Sequence, residues 1–231
     1  MSTTDHSPWD ELCEFAEESR KRYKIPGVLI GVLSGGEVKT AGFGVTNLDH
    51  PLDVTEDTLF QIGSITKTFT GTLMMKLVEA GVIDLDATVR TYLPEFKVQD
   101  EDASEKVTVR QLLTHTSGWF GDFFHDTGPG ADAGARYVAD MADLEQLAPL
   151  GEVWSYNNAG FYLVGHLIEV VMGKSYQVAL REEVLEPLGL THTFFDPGDV
   201  ITYRFATGHN GGQVARPWPL PRAAYPAGGI A

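Results

Sequence analysis

The chain has 231 residues, enough for one large domain or two small ones, and at 43% hydrophobic residues it can bury a substantial core. Against 32 Asp and Glu stand only 17 Lys and Arg, giving a formal charge of −15 and no basic run, so nucleic acid and anionic membrane surfaces are excluded as expected partners. A single cysteine, Cys13, excludes an internal disulfide and agrees with a reducing compartment.

The opening MSTTDHSPWDELCEF has neither a basic start nor an apolar run and does not read as a signal peptide. No apolar stretch is long enough to span a bilayer, and a cytoplasmic location is expected. Ser7-Pro8-Trp9-Asp10 reads as a capped helix start, with serine at the cap, proline in the first turn and an acid three residues on. That helix is expected to run to about Tyr23, where Pro26-Gly27 breaks it. Val28–Leu33 and Val38–Val45, joined by Ser34-Gly35-Gly36, predict a β-hairpin. Gly42 and Gly44 within it mark a place where other backbone packs closely. A lone hairpin is not a stable sheet, so something must pair with it.

Helices follow. Ser64–Ala80 reads as one, ending at Gly81. Thr108 caps a short helix over Val109–Thr114. Residues 158–172 form the clearest, with Phe161, Val164, Leu167, Ile168 and Val171 on one face and Gly173 after it. Leu180–Leu188 is a further expected helix. Phe120–Gly134 reads as loop, and the Gly- and Pro-rich tail Gly208–Ala231 carries no expected element.

Two short patterns carry chemistry. Ser64 and Lys67 stand three apart on a helix, so the hydroxyl and the amine share a face. Burial beside positive potential would lower the lysine's proton affinity, and the freed amine could take the serine proton. Unpaired N–H groups at the helix start favour negative charge near Ser64, which suits attack on an acyl carbon. The same residues also read as a helix cap beside a surface lysine. Tyr156 and Asn158 stand two apart just before the clearest helix, where a phenol and an amide can face one side. Alternatively Asn158 is the helix cap and Tyr156 packing. His115 suggests a Ser-His-Asp triad, but no G-x-S-x-G elbow surrounds Ser64. The 7 histidines show no metal-ligand spacing and no glycine loop cradles phosphate, so no metal and no cofactor are expected.

Taken in order, the motifs resemble the serine β-lactamase and penicillin-binding-protein superfamily, in its class C-like branch of class C β-lactamases, family VIII carboxylesterases, D-aminopeptidases and DD-carboxypeptidases. The resemblance rests on Ala41–Gly44, Asp57–Phe60, Ser64-Ile65-Thr66-Lys67, Gly81–Asp86, Tyr92-Leu93-Pro94, Leu112–Gly118, Tyr156-Asn157-Asn158, Pro187–Leu190 and Ala227-Gly228-Gly229. It implies an α+β, β-lactamase/transpeptidase-like fold: an antiparallel sheet flanked by helices, plus a helical subdomain. Residues 1–60 would give the helix and hairpin, about 61–200 the nucleophile helix and helical subdomain, and 201–231 an irregular segment.

By the same resemblance Ser64 is the nucleophile, Lys67 its proton partner, and Tyr156 the second proton-transfer group. Asn158 is implied as a hydrogen-bond donor to substrate and lysine, the backbone N–H of Ser64 as one oxyanion donor, and the turn at His115 as structural. Trp119, Phe120 and Trp154 flank the motifs and are candidates for an apolar acyl pocket or for ordinary packing. The family's third motif, Lys-Thr-Gly or His-Thr-Gly-like, is not found after Tyr156. Residues 1–231 therefore read as the N-terminal portion of one domain, lacking its C-terminal strands. The implied partners are a small-molecule acyl substrate and a complementary C-terminal segment or chain carrying that motif. Alone, the 231 residues are expected to be inactive and poorly folded. The implied function is a serine hydrolase forming an acyl-enzyme on Ser64 with esters, amides or β-lactams. An esterase or peptidase is favoured over a β-lactamase or DD-peptidase proper, and a non-turnover penicillin-binding sensor is the alternative of another class.

Overall fold

The computed structural model describes residues 7–231. Residues 1–6, part of the opening stretch read for a leader, lie outside the described residues. Two compact units emerge: one takes the chain up to Gln61 together with Asp196–Trp218, the other Ile62–Phe195 with Pro219–Ala231.

The first unit opens with α1 (Pro8–Arg22), started by a capping box in which the Ser7 side chain accepts from the Asp10 N–H and the Asp10 carboxylate from the Ser7 N–H. Strands β1 (Gly27–Ser34) and β2 (Glu37–Gly44) then pair antiparallel with Gly27 opposite Gly44. The glycines act as their positions suggest. A Cβ on Gly42 would lie 2.4 Å from the Val54 carbonyl, and Gly44 takes φ +76° against the Pro26 carbonyl. Strands β3 (His209–Asn210) and β4 (Gln213–Val214) form a second, very short ribbon.

The second unit is helical and holds the core. At its centre lies α6 (Asn158–Met172). Its predicted bounds hold, but its burial is wider than one face: Tyr162 and Leu163 are buried as well as Phe161, Val164, Leu167 and Ile168. Around it stand α2 (Thr66–Glu79), α4 (Val109–Leu113), α5 (Ala133–Asp140) and α7 (Tyr176–Leu180). A further short helix, α3 (Glu101–Lys106), starts on the Asp100 side chain.

Several expectations are corrected. The α-helix of the Ser64 segment begins at Thr66, because Gly63–Ile65 is a tighter 3₁₀ turn. The helix expected over Leu180–Leu188 starts earlier, at Tyr176. It widens into a π-turn over Arg181–Leu185 and stops before Pro187, which has no N–H to continue it. The loop read over Phe120–Gly134 gives way to α5 at Ala133. The tail is not featureless: it holds β3 and β4, and a helical turn, Tyr225–Gly228, contains buried Ala227 and leads into buried Ile230 and Ala231.

Side chains of α2 fasten that tail. Thr66 Oγ1 accepts from the Ile230 N–H at 3.2 Å, and Thr70 Oγ1 donates to the Pro226 carbonyl at 2.7 Å. Buried Tyr176 shares a 2.7 Å hydrogen bond with the same Thr70 hydroxyl. Across from it, Gly165 leaves room for Pro226, since a Cβ there would fall 2.0 Å from the proline ring. Gly165→Ala gains up to about 1 kcal/mol of helix propensity but overpacks a site where such overlap costs about 1–3 kcal/mol. The overlap wins. A urea titration should show the variant less stable by about 1–2 kcal/mol, and an unchanged midpoint would refute the tight packing. Among the described residues no helix is long and apolar enough to cross a membrane.

Candidate active site

Ser64 lies exposed in the 3₁₀ turn, and Lys67 is buried in the first turn of α2. The Lys67 Nζ donates to three oxygens: Ser64 Oγ at 3.2 Å, Asn158 Oδ1 at 2.7 Å and the Ala227 carbonyl at 2.8 Å. An ammonium has three N–H donors, so all three are matched. The same nitrogen lies 4.8 Å from the Tyr156 ring centroid and 5.5 Å from that of Phe161. Burial lowers the Lys67 pKa from its ordinary value, while the Tyr156 phenol and the Asp122 carboxylate oppose the shift.

The segment that brings Tyr156 and Asn158 to Lys67 is fixed by its alternate residues. Ser155 N–H donates to the His115 carbonyl at 2.9 Å, and Asn157 N–H to His115 Nδ1 at 3.0 Å. The cap of α6 is Asn157 rather than Asn158: its Oδ1 accepts from the Gly160 N–H at 2.8 Å. Asn158, at the first helical position, is thereby free to face Lys67. The side chain of Asn157 also accepts from Trp119 Nε1 at 3.2 Å and donates to the Trp119 carbonyl at 3.0 Å. Because His115 Nδ1 accepts a backbone proton, it has no lone pair left for a serine. Burial, reinforced by the Lys67 charge, lowers the His115 pKa and favours its neutral form. Its ring lies 4.6 Å from that of Tyr156, tilted by 34°. His115 thus shapes the segment from behind, at a backbone φ of +59°.

Two sequence expectations change here. Asn158 is not a donor to the lysine: Oδ1 accepts from Lys67, while Nδ2 donates to Asp122 Oδ1 at 2.7 Å. Trp119 lines no open pocket. It is 1% exposed, 6.0 Å from Phe96, and bound to Asn157. Phe120 and Trp154 are exposed, and Trp154 sets its edge against His115. Sequence reasoning missed Asp122, Asn157 and the Ala227 carbonyl. The signal for Asn157 is its residue type, which caps helices as well as Asn158 does, one position earlier. A backbone carbonyl 160 positions from Lys67 leaves no mark in a sequence. Among the described residues no group of three or more His, Cys, Asp or Glu is placed to hold a metal ion.

A fold with this serine–lysine turn and a Tyr-x-Asn segment defines a class, and comparison with known proteins agrees. Residues 13–231 match the Beta-lactamase family, and the chain belongs to it. The chain is 38% identical to Penicillin-binding protein 4 of Amycolatopsis lactamdurans, across 98% of its own length and 60% of that protein's. It superposes on the octameric penicillin-binding protein homologue from Pyrococcus abyssi with a TM-score of 0.82 at 31% identity, covering 97% of this chain and 53% of that one. For the class C β-lactamase from Rhodobacter sphaeroides the values are 0.77 and 29%, over 94% and 60% of the two chains. The fold is therefore β-lactamase/transpeptidase-like, of the class C-like branch, and the chain spans part of the length of these relatives.

Proposed function

We propose that Ser64 is the nucleophile of an acyl-transferring serine hydrolase. The observation that carries this reading is the set of three acceptors around Lys67 Nζ. A neutral amine has two N–H groups and one lone pair, so on losing a proton Lys67 must receive one hydrogen bond. Asn158 Oδ1 and the Ala227 carbonyl have no proton to give. Of these three groups only Ser64 does, and its O–H can point at the lone pair, with the Tyr156 phenol as the other O–H beside the amine. The surroundings thus favour an amine aimed at the serine.

In the reaction, Ser64 Oγ bonds to the acyl carbon and its proton passes to the Lys67–Tyr156 pair. The leaving group departs with a proton from that pair, and water later releases the acyl group and restores Ser64. Lys67 and Tyr156 are read as one coupled unit rather than as separate base and acid. The groups that complete the oxyanion hole beyond the Ser64 N–H are assigned to a complementary segment or chain carrying the third motif. Phe120 and Trp154 offer apolar surface for the acyl chain. Esters and small amides are the favoured substrates. The 38% identity to a penicillin-binding protein favours a second reading, stable acylation by a β-lactam without turnover.

The test treats the full protein, including the segment or chain that carries the third motif, with a fluorophosphonate, a fluorescent penicillin and a short-chain nitrophenyl ester, reading intact mass and turnover. An adduct on Ser64 with ester turnover is expected. A lasting penicillin adduct without ester turnover would move the assignment to the second reading. If Ser64→Ala labels as readily as the unaltered protein, the nucleophile assignment fails.

A further inference from the structure

Asn158 joins Lys67 on one side and Asp122 on the other, each at 2.7 Å. A side-chain amide is asymmetric: one end accepts and the other donates. Turned over, it would set its NH₂ against the Lys67 ammonium and its oxygen against the Asp122 carboxylate, mismatching both ends. Asp122 is itself held in register with α6. The Ala159 N–H donates to the Gly121 carbonyl at 2.9 Å, and the Phe124 N–H to the Asp122 carbonyl at 2.8 Å. A Cβ on Gly121 would lie 2.5 Å from the Tyr156 carbonyl, so the loop runs close against the Tyr-x-Asn segment. A carboxylate accepting from an amide forms a charge-assisted bond, stronger than its neutral counterpart.

From this chain of contacts we propose that Asp122 is a positioning residue for acyl transfer: its carboxylate fixes which way the Asn158 amide faces and so holds Lys67 Nζ beside Ser64 Oγ. This rests on the reading of Ser64 as nucleophile. Asp122 acts through Asn158 and need not touch the substrate.

The experiment is a double-mutant cycle on Ser64 labelling by the fluorescent penicillin, at saturating and limiting probe. Asp122→Ala should slow labelling at saturation about tenfold, the scale of one hydrogen bond to a charged group, with the half-saturating probe concentration within about twofold. Asp122→Asn keeps an accepting oxygen and should lose less. In an Asn158→Ala background, Asp122→Ala should have no further effect, because the amide it orients is gone. A loop that merely needs Asp122 to fold would lose the same factor in both backgrounds, and that result would overturn the proposal. So would an Asp122→Ala rate equal to the unaltered one, or equal losses for the Asn and Ala variants. Should Asp122→Ala fail to fold, Asp122→Asn alone and in the Asn158→Ala background completes the same cycle. Ser64→Ala runs alongside: labelling that survives it refutes the nucleophile reading itself, while labelling lost there but insensitive to Asp122 refutes only this inference.

Discussion

Lys67→Met is expected to slow acylation of Ser64 by about 10³-fold, within the span that a positioned proton acceptor supplies, while leaving the fold intact. Methionine occupies a similar volume without charge. It abandons the buried Ala227 carbonyl, which costs about 1–3 kcal/mol, but it also removes the penalty of burying an ammonium. The two oppose, and the unfolding free energy from urea titration near neutral pH should change by about 1 kcal/mol or less.

The pH dependence gives a second reading of the same variant. Burial holds the folded pKa of Lys67 below its ordinary value of 10.5. Between those two values the unfolded chain binds more protons than the folded one, so the Lys67 contribution makes stability rise with pH and levels off above 10.5. Buried Tyr137, Tyr162 and Tyr176 work in the other direction above about pH 10, since their phenols are raised, that of Tyr162 to about 12. The difference between unaltered protein and Lys67→Met cancels the phenols. It should grow less unfavourable to lysine as pH rises, and a flat difference would refute the depressed pKa. Labelling of Ser64 in the unaltered protein should rise over the same range as the free amine becomes populated.

Trp119→Ala should cost about 3–5 kcal/mol, the usual range for emptying a buried aromatic site, and place the protein close to its unfolding limit. The indole is fully enclosed against Phe96, and its loss also strips Asn157 of a donor. Trp119→Phe refills most of the volume. Because Asn157 Oδ1 retains the Gly160 N–H, that variant should lose only about 1 kcal/mol. Urea unfolding of the pair separates packing from hydrogen bonding, and equal losses would show the indole N–H to be the dominant contact.

Much of this molecule was legible in local patterns. The Ser7 capping box, the Thr108 cap, the hairpin with its glycines, and the run from Asn158 to Met172 each follow from residues a few positions apart. The misses have a common cause. Helix α3 is short and charged, so no apolar period announces it, and Asp132 before α5 makes no side-chain cap. The tail is rich in residues that disfavour regular structure, yet its backbone is held by Thr66 and Thr70 of α2, partners far away in sequence. In the site, Ser64, Lys67, Tyr156 and Asn158 could be found because their spacings are local. Asp122 and the Ala227 carbonyl could not, because they meet Lys67 or Asn158 only through the fold, and Trp119 reads as a candidate pocket wall because it directly follows the motif ending at Gly118, which says nothing of its burial.

The hydrogen bond from Lys67 to the Ala227 carbonyl spans 160 residues. Closing so long a loop carries an entropic cost that grows with the logarithm of its length, and contacts this distant in sequence form slowly. As the polypeptide leaves the ribosome, residue 67 emerges long before residue 227. Until residues 226–230 dock on Thr66 and Thr70, the lysine lacks the burial that lowers its basicity. The nucleophile is therefore armed late: a nascent or half-folded chain holds a serine and a lysine but not yet a reactive pair.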